Sequence, residues 1–97
     1  MNIVITESAA DDIADGYLFY EMQEPGLGEY FESSIKADLL SLVIYAGIHE
    51  VHFNDYHRKI ASRFPHAIYY SVENDNIMIH AVLDTRRDPQ MLSNRFS

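Results

Sequence analysis

The spacing of apolar residues along this chain changes once, near Gly47, and that change dictates the class of fold. Ahead of it, apolar side chains recur every three or four residues. Ile13, Tyr17 and Tyr20 make one helical stripe; Phe31, Ile35, Leu39, Leu42, Val43 and Ala46 make a second. Beyond it the period shortens to that of extended strands, with β-branched and aromatic residues in short runs. A chain of 97 residues has room for one core, so the helices must lie against the sheet that those strands form. The expectation is a single α+β domain over residues 1–97.

Read in order, residues 2–6 alternate β-branched side chains and predict an opening strand. Thr6-Glu7-Ser8 offers a hydroxyl cap, and Asp11 and Asp12 suit the positive first turn of a helix over 8–24. Gly16 inside that helix points to close packing by its neighbour. Pro25-Gly26-Leu27-Gly28 stops the first helix, a second runs over 28–46, and Gly47 suits its C-cap. Two amphipathic helices with so short a break form an antiparallel hairpin. Strands are then expected at 59–64, ended by Pro65, and at 66–72, with Ile68, Tyr70 and Val72 on one face. Tyr69 and Tyr70 are expected to divide into one core and one exposed residue. Residues 73–76 carry turn chemistry, and 77–84 is apolar on both faces apart from His80, as in a central strand. The order β-α-α-β-β-β implies a largely antiparallel sheet with the hairpin on one face.

Several function classes drop out. The chain has no cysteine, which removes disulfides, thiolate zinc sites and cysteine nucleophiles. It has no phosphate-binding glycine loop and no nucleophile elbow, so no cofactor is expected. His49 and His52 lack a nearby third ligand, so no metal is expected. The opening residues lack a signal-peptide pattern, and the most apolar run, 39–46, is far below the roughly 20 residues of a membrane span. A cytoplasmic location without membrane contact is the expectation. The net charge of −8 is uneven: eleven acids and one base through Tyr56, then four acids and six bases. Acidity argues against general nucleic-acid binding but leaves room for a local basic patch in the second half.

Four stretches together resemble the RelE/ParE family of toxins. They are the strand-to-helix passage Thr6-Glu7-Ser8-Ala9, Pro25-Gly26-Leu27-Gly28 leading into Phe31, Arg63-Phe64-Pro65-His66-Ala67-Ile68-Tyr69-Tyr70, and Ala81-Val82-Leu83-Asp84-Thr85-Arg86-Arg87-Asp88-Pro89. Tyr20-Glu21 near the end of the first helix fits as well. The resemblance spans nearly the whole chain and leans to the ParE-like branch. It implies the toxin half of a type II toxin–antitoxin system, such as stabilises plasmids, with a cognate antitoxin wrapped around it. ParE-like members act on DNA gyrase; RelE-like members cut mRNA on the ribosome.

By the same resemblance Arg58, Arg63, Arg86 and Arg87, with Lys59 nearby, gather at one concave face to meet a target or the antitoxin. Arginine suits that work because its planar fork binds anions at two points. The plainer reading of Arg86 and Arg87 is pairing with Asp84 and Asp88. RNA cleavage needs a general base and a leaving-group acid as well as a phosphate clamp. In the RNA-cutting branch a tyrosine or histidine after the last strand does this work; here Met91 and Leu92 stand there, and neither transfers a proton. His57 is the weak candidate for catalysis, because an imidazole beside Arg58 can titrate near neutrality. His80, between Ile79 and Ala81, reads as a hydrogen-bonded sheet histidine. These features favour a binding toxin over an enzyme. A ribosome-dependent mRNA endonuclease and a weakly toxic antitoxin-binding relative, the latter suggested by the acidic charge, remain the alternatives.

Overall fold

The computed structural model describes residues 1–45, 50–52, 56–86 and 95–96. The chain opens with strand β1 (Asn2–Ile5), followed by helices α1 (Glu7–Gln23) and α2 (Leu27–Tyr45). Four strands follow: β2 (Glu50–His52), β3 (Tyr56–Ile60), β4 (His66–Glu73) and β5 (Asn76–Asp84). They form one sheet in the order β1-β5-β4-β3-β2. β1 runs parallel to β5, and the other three pairings are antiparallel. The α+β reading holds, with one strand more than the sequence pattern suggested: the three-residue β2 extends the edge beside β3.

Thr6 joins the two layers. Its Oγ1 accepts from the Ala9 amide at 3.2 Å, capping α1, and donates to the Ile79 carbonyl at 2.8 Å, which ties the cap to β5. At the far end of α1, Gly26 takes φ +91°, a left-handed conformation that side chains resist. The Glu21 carboxylate accepts from the Gly26 and Gly28 amides and closes the turn. Gly16 lets the helices meet: a Cβ there would stand 2.4 Å from the Phe31 ring.

The core lies between the hairpin and the sheet. Ile13, Tyr20, Phe31, Ile35, Leu39 and Leu42 pack on Ile68, Tyr70, Ile77, Ile79 and Val82. The other sheet face carries a smaller cluster of Ala67, Tyr69, Ala81 and Leu83, against which Phe96 packs. Tyr69 and Tyr70 are therefore both buried, one on each face, because that outer face is covered as well. A register shift explains how β5 serves both clusters. Tyr69 pairs with Ala81 but Tyr70 with Ile79, so His80 is the extra residue of a β-bulge. Alternation resets there, and Val82 joins Ile77 and Ile79 on the hairpin side.

Three further expectations need correction. The strand placed at 59–64 lies at Tyr56–Ile60, because buried Asp38 draws Ser62 away from the ladder. Its Oδ2 accepts from the Ser62 amide at 3.0 Å, and its Oδ1 from the Ser62 hydroxyl. Val43 is exposed, since one residue beyond Leu42 is about 100° round the helix. Val72 is exposed too, near the turn where Asn74 takes φ 57°. Ala46 and Gly47 lie outside the described residues.

Candidate functional site

An aromatic cluster closes one end of the molecule where α1 stops, α2 starts and β4 begins. The Tyr20 ring lies 5.0 Å from Phe31 and 4.8 Å from Phe64, and Tyr30 lies 5.5 Å from Phe64. The Tyr20 hydroxyl and His66 Nε2 share a buried hydrogen bond of 3.2 Å. Burial pushes the Tyr20 hydroxyl above its ordinary pKa, partly opposed by Arg86.

Two of the arginines picked out by sequence border this cluster. Arg63 donates to the Tyr30 hydroxyl at 3.1 Å, its guanidinium 6.0 Å from the ring centre. Arg86 forks onto Asp84, donating at 2.9 Å from Nε to Oδ1 and at 2.6 Å from Nη2 to Oδ2. The Arg86 amide adds a third bond to Oδ1 at 2.8 Å. These bonds hold the Asp84 carboxyl at a pKa of about 2 and raise that of Arg86. The plain pairing with Asp84 is what Arg86 makes.

The remaining candidates stand apart. His57 pairs with Tyr70 across the β3–β4 ladder, and its ring stacks on the Tyr70 ring at 5.1 Å. Lys59 pairs with Ile68, which puts it on the same, hairpin-facing side of β3 as His57. Arg58 pairs with Tyr69, so alternation turns it to the opposite sheet face. Arg87, His49, Met91 and Leu92 lie outside the described residues. Among the described residues, no three histidines or carboxylates gather as metal ligands would.

Sequence reasoning missed a second feature. β1 ends at Ile5, so among the described residues no strand pairs with β5 beyond Ile79 on that side. Side chains meet the backbone there instead. Asp12 Oδ2 accepts from the Val82 amide at 2.9 Å, and Arg95 Nη2 donates to the His80 carbonyl at 3.2 Å. Arg95 also forks onto Asp12 at 3.2 and 2.9 Å. Beside this stretch lies a groove of about 370 Å³ lined by Asp12, Asp15, Gly16, Phe19, His66, Val82, Leu83 and Asp84. No local signal marks Asp12, because its partners Val82 and Arg95 stand 70 and 83 residues away.

His80 sits where the bulge turns it toward Tyr56, ring centres 4.7 Å apart. Its Nε2 hydrogen-bonds Ser71 Oγ at 2.7 Å. Burial pushes its pKa down, against the pull of Glu73. It is the hydrogen-bonded sheet histidine expected.

Neither a family model nor a curated protein matches the chain. Solved structures do. A chain of the "Chromosomal ParDE TA system from P. aeruginosa" superposes with a TM-score of 0.74 at 19% identity, covering 84% of this chain and 92% of that one. At that identity the likeness is one of fold: a helical hairpin on a mixed sheet. No helix among the described residues is long and apolar enough to cross a membrane.

Proposed function

We propose that this protein is the toxin of a type II toxin–antitoxin system, of the ParE type, which binds DNA gyrase and is neutralised by a cognate antitoxin. The observation that carries this reading is the fold shared with a chain of a ParDE system, joined to four sequence stretches that resemble the same family. Fold alone does not choose between the branches of such a family, so the choice rests on the site. Arg63 and Arg86 offer cationic tips on a rigid aromatic base, a design suited to recognising a surface. Proton transfer is poorly served. Tyr20 and His66 are buried on each other, and His57 is stacked in the sheet, away from Arg63 and Arg86. This supports binding over RNA cleavage.

Expression without the neighbouring gene should arrest growth and relax a reporter plasmid while mRNA stays intact. Co-expression of that gene should restore growth and give a complex on size exclusion. Cut mRNA with normal supercoiling would move the protein to the endonuclease reading. Normal growth with a stable complex would make it a weakly toxic antitoxin-binding relative.

A further inference from the structure

The outer face of the helical hairpin carries apolar side chains that the fold leaves bare. Along α1, Ala14, Leu18 and Met22 follow one another at intervals of four, and Leu18 and Met22 are 59% and 88% exposed. Between the helices, Ala14, Tyr17, Leu18 and Glu32 line a shallow, largely apolar groove of about 300 Å³. Leu40 and Ile44, on α2, are exposed as well. Side chains this far out contribute little to the core, and a run of them marks a surface that something covers.

Charge indicates what covers it. From Glu7 to Tyr45 the hairpin carries nine carboxylates and one base, Lys36, which pairs with Glu32 at 3.5 Å. Asp12, Glu21 and Asp38 are held by Arg95, the Gly26 and Gly28 amides, and Ser62. Glu7, Asp11, Asp15, Glu24 and Glu29 are exposed, and among the described residues their carboxylates make no hydrogen bond or ion pair. Asp11 and Asp15 lie on the same side of α1 as Leu18 and Met22. Such a rim repels a second copy of the hairpin and an anionic bilayer, and it attracts lysine and arginine.

We infer that the outer face of the hairpin docks a cationic amphipathic helix, its apolar stripe on Ala14, Leu18 and Met22 and its basic flanks on Asp11, Asp15 and Glu29. The inference rests on the toxin–antitoxin reading and names the chemistry of the neutralising segment: apolar on one side, basic along its edges. Helix-in-groove recognition needs only such anchors on one face, and the charges set orientation and partner choice.

The probe is a labelled peptide of about 18 residues, five helical turns, with leucine on one face and lysine on the other. Its control replaces every lysine by glutamate. The full-length protein should bind the lysine peptide in a salt-sensitive manner and ignore the glutamate peptide. Leu18→Ser/Met22→Ser should weaken binding about tenfold or more, the loss expected when two anchors go. Asp11→Asn/Asp15→Asn should weaken it less and flatten the salt dependence. All four positions are exposed, so circular dichroism should show the variants folded. Equal binding of both peptides, or binding that survives both double variants, would overturn the inference. So would self-association lost in Leu18→Ser/Met22→Ser, or co-flotation with phosphatidylserine vesicles. The growth and supercoiling assays read out separately. If they succeed and the peptide fails, only the docking inference falls; if the peptide binds and they fail, only the toxin reading falls.

Discussion

Asp84 and His80, four residues apart on one strand, both have lowered pKa values, from opposite causes. Arg86 stabilises the charged form of Asp84, whereas burial disfavours the charged form of His80. Arg86→Ala should return the Asp84 carboxyl from about 2 toward the ordinary value of about 3.9, as followed by carboxyl NMR. An Asp84 that still titrated near 2 would show that the guanidinium is not the cause. In the wild type the stability this pair contributes is complete above the unfolded pKa and is lost as pH falls through the folded one. His80 has the same sign at a higher pH. Its contribution is complete above about 6.5 and declines as pH falls through the lower folded value. Acidification through that window should lower the melting temperature of the wild type more than that of His80→Gln. Equal slopes would remove His80 from the account.

At the level of elements, the contact between α1 and α2 depends on the missing side chain at Gly16. Gly16→Ala adds about 1 kcal/mol of helix propensity, but it drives a methyl into the Phe31 ring, and overpacking costs about 1–3 kcal/mol. Urea unfolding should show net destabilisation, relieved when Phe31→Leu is added. A stabilised single variant would mean that the helices can separate without cost. The hairpin was legible because its signals are local: stripes of period 3.6, a hydroxyl cap, and a Pro-Gly stop. The strands were less so. The end of β3 depends on Asp38, 24 residues before Ser62, and the His80 bulge depends on pairing with β4. Arg63 and Arg86 could be picked out as bases beside strands, but only tertiary contacts bring Tyr20, Tyr30 and Phe64 between them. The Asp12–Arg95 pair, 83 residues apart, left no mark in local pattern.

Across the whole molecule, a few polar ties join distant segments. Asp38, buried in α2, holds the passage from β3 to β4 through both the amide and the hydroxyl of Ser62. Asp38→Ala leaves that amide without its acceptor and should cost about 1–3 kcal/mol. Chemical denaturation would measure the loss, and an unchanged midpoint would show that solvent replaces the carboxylate. The topology has a further outcome, in time rather than in energy. Among the described residues β1 pairs with β5 alone, Asn2 opposite Asn76, and the Thr6 cap is anchored on Ile79. A ribosome adds about 5–20 residues per second, so the first strand emerges roughly 4–15 seconds before its partner exists. Throughout that interval the hairpin can coil, but the sheet that aligns Arg63 with Arg86 cannot close. The apolar stripe of the hairpin therefore waits, without the sheet that buries it, until the residues of β5 have been made.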